Sequence, residues 1–407
     1  LETGLLRPAD AAELAEIVAH AAAQGQTLEI RGGGSKRDFG RPVEAARVLD
    51  LSRLRGVVDY EPAELVLTGK AATPLDEIRA ALEANGQMLA FEPPDWGALL
   101  PGGGAPTLGG IVACNMAGPR RVRAGSARDH FLGFAAVNGR GEAWKAGGKV
   151  VKNVTGYDMC KLQAGAFGTL SVLTELSVKV LPKPETSCSV AYFGLTDIEA
   201  IRALAAALNT PHEVSAAAHL PARVAARSSV AASFPAGQPV TVLRLEGPLP
   251  SVAFRAAGLQ DVHTPNVRLD APASLALWAE IAAVQPLLAS ADSEIWRVCA
   301  TPSAAPLVLG EVRKAFADAG AFYDWGGGLL WIELDPVQSA DAGAGVVRAA
   351  LGGAGGHATL IRATPSLRRT VPVFQPGEAA LEALTRRVKA GFDPLGILNP
   401  GRMQQGV

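Results

Sequence analysis

The chain has 407 residues, 48% of them hydrophobic, and a formal net charge of −1. That length exceeds what one simple core serves, so two or three domains are expected. The near-neutral balance excludes a broad nucleic-acid surface, and no apolar run reaches the about 18 residues a membrane-spanning helix needs.

The N-terminal stretch LETGLLRPADAAEL lacks a basic region followed by an apolar core, so no export signal is expected. Across residues 9–24, Leu14, Ile17, Val18 and Ala21 recur with helical spacing, and Gly25 is placed to end that helix. Thr27 to Ile30 reads as a strand running into Arg31-Gly32-Gly33-Gly34-Ser35-Lys36, and Leu65 to Thr68 as a second strand. Thr73-Pro74-Leu75-Asp76 reads as a helix start with Thr73 as cap and Pro74 first in the helix, ending near Asn85-Gly86. A β-branched run from Gly168 to Val180 stops at Leu181-Pro182-Lys183-Pro184, a domain boundary. Residues 185–370 change to alanine-rich helical patches and short strands. Glu378 to Lys389 is an amphipathic helix leading into Phe392 to Met403. Strand, glycine loop and helix alternate, which points to an α+β or α/β layer structure.

Four cysteines (Cys114, Cys160, Cys188, Cys299) lie far apart with no C-x-x-C pair. Neither an iron–sulfur cluster nor a zinc site is expected within the chain, and structural disulfides are not expected either. The compartment reads as reducing cytoplasm.

Three stretches carry chemistry. The glycines of Arg31 to Lys36 let backbone N–H groups turn toward one point, a nest suited to phosphate oxygens, with Arg31 and Lys36 adding charge. A flexible surface turn is the alternative. No P-loop and no G-x-G-x-x-G after a strand is present. A second loop, Pro101 to Gly110, leads into Ile111 to Pro119, where Gly109, Gly110, Ala113, Ala117 and Gly118 would let a large flat group approach the backbone; tight helix–sheet packing would also explain them. The cationic run Arg120 to His130 follows at once and is placed to meet an anion. The segment GKVVKNVTGYD (148–158) is too polar and glycine-punctuated for an ordinary core element.

In order, RGGGSK, PTLGG, AGPRRVRAGSARDHFLG, GGKVVKNVTGYDMCKLQAGAFGTLSVLTE and DPLGILNPGRM resemble FAD-binding proteins of the vanillyl-alcohol oxidase or p-cresol methylhydroxylase type. More narrowly, GQMLAFEPP, AGPRRVRAGSARDHFLG, GGKVVKNVTGYD and GGHATL are similar to the FAD-binding subunits of bacterial glycolate oxidase complexes. The resemblance covers residues 5–185 and 375–403 well and the middle in patches. It implies an α+β, two-subdomain FAD-binding fold with an antiparallel-sheet cap: 1–185 for the cofactor, 186–370 for the cap, and 371–407 returning to the cofactor domain.

The same resemblance implies a set of FAD contacts. Arg31, Gly32, Gly33, Gly34, Ser35 and Lys36 would wrap the pyrophosphate. Pro101, Thr107, Gly109, Gly110, Cys114, Asn115 and Gly118 would line the flavin and its ribityl chain. Ser126, Arg128 and Asp129 would lie near pyrophosphate and ribose, Gly168 and Val172 at the adenine end, and Asn399 and Arg402 in the closing segment. The polar stretch 148–158 would form a wall of the same site. A Val at Gly33 is expected to intrude where the pyrophosphate lies and to meet an unfavourable φ.

Two departures matter. Ser35 stands where many relatives carry the histidine that links FAD covalently, so non-covalent FAD is expected. The His-rich metal motif of the catalytic relatives is missing, and no metal is expected. His357, in Gly355-Gly356-His357-Ala358-Thr359, is the one histidine in a suggestive glycine context, with Arg362, Arg368 and Arg369 as candidate carboxylate anchors. The implied activity is oxidation of glycolate, or another D-2-hydroxy acid, to a 2-oxo acid by hydride transfer to flavin. This chain would be accessory to a related FAD-containing catalytic subunit and an iron–sulfur subunit, which would supply any membrane association. A stand-alone D-2-hydroxy-acid dehydrogenase and a non-catalytic structural or electron-transfer subunit are the alternatives.

Overall fold

The computed structural model describes residues 4–100, 102–149, 156–336 and 339–406. Helix Ala11–Ala23 buries Leu14, Val18 and Ala21 on one face. Asp10 caps it, accepting from Ala12 N and Glu13 N at 2.9 Å each, and Gly25 leaves it with a φ of 62°. The next strand, Leu28–Arg31, pairs in parallel with Arg47–Asp50, which pairs in parallel with Leu5–Leu6.

The second helix starts differently from expectation. It spans Leu75–Glu83 with Pro74 as its cap residue. Thr73 does not cap it; the hydroxyl sits 2.6 Å from Lys70 O and accepts from Gly56 N at 3.0 Å. Thr73 therefore ties down the turn between strand and helix, and its oxygen is engaged there instead.

Five antiparallel strands follow in the order Val57–Glu61, Val66–Lys70, Ser171–Lys179, Phe131–Asn138, Ala143–Gly147. Consecutive side chains of Ser171–Lys179 enter different cores. Val172 packs with Leu14, Val18 and Val137, whereas Leu173 packs with Leu108 and Ile111. This alternation decides which residues of the strand can reach a cofactor.

The largest sheet has eight strands, all antiparallel and all from residues 186–362. Their order is Asn266–Leu269, Thr186–Phe193, Val240–Gly247, Ala216–Leu220, Gly320–Asp324, Leu329–Leu334, Glu294–Cys299, His357–Arg362. A charge network centred on the buried Arg244 fastens it to the loops before and after helix Leu108–Ala113. Arg244 binds Glu92 through both guanidinium nitrogens at 2.7 and 2.9 Å, and Arg120 binds Glu246 likewise at 2.8 and 2.9 Å.

The C-terminal helix Ala379–Phe392 is mostly exposed, but Lys389 is buried and its ammonium donates to Thr169 O, Asp393 and Leu398 O at 2.6, 2.7 and 3.0 Å. The chain beyond it adds to the edge of strand Leu28–Arg31: Leu28 N donates to Ile397 O at 2.8 Å, and Asn399 N to Leu28 O at 2.9 Å. Asn399 also accepts from Ile30 N and donates to Phe167 O, both at 2.8 Å. Two segments nearly 370 residues apart in sequence thus meet beside the first glycine loop.

Candidate cofactor site

At that meeting point lies a cavity open to solvent on one side. Its walls come from residues 29–37, 107–114, 163–173 and 399–402, with Leu51 and Ala71. The first wall forms because Leu28–Arg31 ends in three glycines. Gly34 takes a φ of 85°, open to glycine and costly for other residues. Gly33 and Gly104 interlock: a Cβ on Gly33 would overlap the Ala105 carbonyl oxygen, and one on Gly104 would overlap that of Gly33. The expected clash at Gly33 is therefore with the second glycine loop, and the unfavourable φ belongs to Gly34.

The donor set fits FAD. Among the described residues, the backbone N–H groups of Gly32, Gly33, Gly34, Ser35 and Lys36 have no protein partner. Four cations line the cavity, Arg31, Lys36, Arg37 and Arg402, against one carboxylate, Glu29. Glu29 bonds to Arg37 Nε at 3.0 Å and Arg31 Nη2 at 3.2 Å. Arg31 Nε is buried without a partner. Burial pulls Lys36 and Arg402 below their ordinary values, although Cys114 and an acidic neighbour of each oppose this. Burial pushes the Cys114 thiol up to about 11, so it stays neutral near pH 7 despite Lys36 and Arg402. An underneutralised, desolvated cationic nest calls for a polyanion such as a pyrophosphate.

The opposite wall is built for close approach. Thr107 caps the short helix Leu108–Ala113, accepting from Gly110 N at 3.3 Å, and Gly109 packs so tightly on Ala71 that a Cβ would sit 2.9 Å from its carbonyl oxygen. Gly168 has a φ of 69° and faces Asn399. The structure thus brings together Arg31, Gly32, Gly33, Gly34, Ser35, Lys36, Thr107, Gly109, Gly110, Cys114, Gly168, Asn399 and Arg402.

Other candidates stand elsewhere. Val172 points into the opposite core, as strand alternation requires, and Ser171 and Leu173 line the cavity in its place. Asn115 accepts from Arg128 N at 3.0 Å, and Gly118 packs against the Glu92 backbone. Ser126 and Asp129 close a capping box, Asp129 accepting from Ser126 N at 2.8 Å and Oγ at 2.9 Å. Burial raises the Asp129 carboxyl, but those bonds and the charges of Arg121 and Arg128 hold it below its ordinary value. Arg128 is exposed and donates to Lys161 O at 3.3 Å. Pro101 and residues 150–155 lie outside the described residues.

The expected substrate-side residues do not line the cavity. Arg362 is buried, its guanidinium spent on Ser293 O and Ser290 O at 2.8 Å each. Arg368 binds Asp38 Oδ1 at 2.9 Å, and Arg369 pairs with Glu44 at 3.2 Å. His357 is exposed and sits opposite Cys299 in the sheet register. Reading from motifs did not single out Glu29, Arg37, Gln163, Phe167 or Ser171. Glu29 and Arg37 flank the first glycine loop, a signal that could have found them. Gln163 and Phe167 arrive only because Gly165 N and Phe167 N bond Val112 O and Ala113 O.

A family profile for the FAD binding domain matches residues 3–147. Solved structures share the fold over nearly the whole chain. A 4-ethylphenol oxidase from Gulosibacter chungangensis superposes with a TM-score of 0.72 at 17% identity, and p-cresol methylhydroxylase with 0.71 at 13%; each match covers 98% of this chain and 88% of the other. Fold and site together define an FAD-binding protein with the fold seen in p-cresol methylhydroxylase. Among curated proteins, the glycolate oxidase subunit GlcE of Escherichia coli (strain K12) is 34% identical over 98% of this chain and 99% of its own length. Glycolate oxidase subunit GlcD of Bacillus subtilis (strain 168) is 32% identical over 45% of this chain and 37% of its own. The chain belongs to the family of the glycolate oxidase subunit GlcE.

Proposed function

We propose that this chain is the FAD-holding subunit of a glycolate oxidase assembly, and that it needs a related flavoprotein subunit and an iron–sulfur subunit for turnover. The full-length similarity to GlcE supports the assembly. The cavity lining carries the accessory role: among the described residues, none from 186–370 lines it. Among the described residues no three His, Cys, Asp or Glu side chains stand close enough to hold a metal ion.

In this reading residues 1–185 and the returning segment 371–407 hold the cofactor, and residues 186–370 form the cap. Bound FAD supplies the hydride acceptor that converts a 2-hydroxy acid into a 2-oxo acid. Gly32 to Lys36 donate backbone N–H groups to its pyrophosphate, while Arg31, Lys36 and Arg402 neutralise it. Thr107 to Cys114 would present a small-residue wall to the ring system. No described helix is long and apolar enough to cross a membrane, and all four cysteines are free, which suits a cytoplasmic site.

Ser35 cannot form the histidyl link, so acid precipitation should release all flavin into the supernatant; colour retained in the pellet would contradict non-covalent binding. The functional test is anaerobic addition of glycolate to the FAD-loaded chain, alone and with both other subunits. Flavin absorbance should bleach rapidly only in the assembly. Rapid bleaching of the isolated chain would overturn the accessory role.

A further inference from the structure

Beyond the cavity, Trp325 reaches from the end of strand Gly320–Asp324 to the segment after Cys114, and its indole N–H donates to Gly118 O at 3.0 Å. Two guanidinium groups stand over this ring. Arg121 Cζ lies 4.5 Å from the ring centroid, and Arg297 Cζ lies 5.1 Å from it. Arg121 comes from the AGPRR segment and Arg297 from strand Glu294–Cys299, so the fold gathers them from both sides of the molecule.

Both arginines are half-buried, and neither guanidinium has a hydrogen-bond or carboxylate partner among the described residues. The buried arginines Arg244, Arg255, Arg362 and Arg368 all donate to carboxylates or carbonyls. The acids nearby are committed elsewhere: Asp129 accepts from Ser126, and the fully enclosed Asp324 accepts from Trp325 N at 2.7 Å. The aromatic face attracts each cation, but the two cations repel one another. Burial and then the charge of Arg297 pull Arg121 below its ordinary value. The same positive field acts on the adjoining thiol. Burial raises Cys299, yet Arg297, a hydrogen bond from His357 and Arg121 together bring it below the usual thiol range.

The ring beneath this cationic pair bonds to Gly118, a few residues along the chain from the cofactor cavity. Ala113 and Cys114 line that cavity, and Gly118 is four residues on, at most about 14 Å of extended backbone. Planar guanidinium forks match carboxylate oxygens in geometry and charge. We propose that Arg121 and Arg297 form a clamp over Trp325 that binds the carboxylate of a small 2-hydroxy or 2-oxo acid. The anion class follows from the two unneutralised guanidinium groups; the choice of a 2-hydroxy acid rests on the proposed function.

The test is calorimetric titration of the FAD-loaded chain with glycolate at constant ionic strength. Wild type should bind saturably, and Arg121→Gln or Arg297→Gln should each weaken binding by about tenfold or more with FAD content unchanged. Unchanged affinity in both variants, or no saturable binding by wild type, would overturn the clamp. Should a variant unfold or lose flavin, the wild type decides by arginine modification with phenylglyoxal, mapped by peptide mass. Glycolate should slow modification at Arg121 and Arg297; equal rates with and without it overturn the proposal. Glycolate oxidation by the assembly with unaltered affinity in both variants retains the proposed function and rejects the clamp. Carboxylate binding lost in the variants, with no 2-hydroxy acid oxidised by the assembly, retains the clamp and rejects the function.

Discussion

Gly33→Val should leave the purified chain nearly free of flavin, with occupancy at least about tenfold below wild type, an equivalent of ~1.4 kcal/mol or more. Gly33 and Gly104 pass so close that a Cβ on Gly33 would overlap the Ala105 carbonyl oxygen, and one on Gly104 that of Gly33. A valine must push the second glycine loop away, and that loop leads directly to Thr107, Gly109 and Gly110 in the opposite wall. The nest N–H groups would then lose their common focus. Gly34→Ala makes the informative contrast. A Cβ there meets nothing nearer than 3.6 Å, but the φ of 85° costs about 1–2 kcal/mol for a non-glycine residue. It should weaken FAD binding while leaving the loops interlocked. The ratio of flavin to protein absorbance, with circular dichroism as the folding control, checks both variants. Equal flavin content in Gly33→Val and wild type would refute the pyrophosphate assignment.

Arg244→Met should destabilise the fold by about 1–3 kcal/mol, the cost of leaving the partly buried Glu92 carboxylate without its main partner. Arg244 is 1% exposed and holds Glu92 through two bonds, with Trp278 beneath its guanidinium at 5.1 Å. Methionine keeps the stem packing but strands Glu92, whose remaining cation, Arg120, is 3.6 Å away and already bound to Glu246. The urea midpoint measures the loss. A double variant that also replaces Glu92 by Gln should recover part of it, because the uncompensated charge is gone. The same network predicts an acid response. Burial alone would raise the Glu246 carboxyl, but bonds and charge from Arg120 and Arg244 lower it from 4.5 to about 2. A depressed carboxyl stabilises the folded state fully above pH 4.5, and that contribution disappears as the pH falls from 4.5 toward 2. Glu246→Gln should flatten the urea-midpoint profile across that interval; an identical profile in wild type and variant would reject the linkage.

Local signals were dependable where a residue's role depended on its neighbours in sequence. Helix Ala11–Ala23 was legible because an apolar stripe and a terminating glycine agreed, while the Asp10 cap emerged only from the structure. The glycine loop after Leu28–Arg31 was legible because three glycines leave backbone donors without regular partners. Thr73 was misassigned because its oxygen is taken by Gly56 and Lys70, and the contact with Gly56 is not local. Val172 was misplaced by one position, since a strand sends each successive side chain to the opposite face and the spacing alone does not say which face holds the cofactor.

The amino-acid sequence by itself determined the α+β alternation, the two glycine loops, the cofactor class and the family, because each is written in contiguous motifs. It also carried the absence of a histidine at Ser35. Only the tertiary structure decided which residues share a wall. Asn399 reaches Ile30, and Lys389 reaches Thr169, through contacts that close more than two hundred residues of intervening chain. Arg362, Arg368 and Arg369, equally plausible anchors in sequence, are engaged by carbonyls and carboxylates of the fold, whereas Arg121 and Arg297 face one indole with no carboxylate partner among the described residues. A side chain's charge is set by its residue type, but whether that charge is neutralised depends on what long-range packing brings within hydrogen-bond reach.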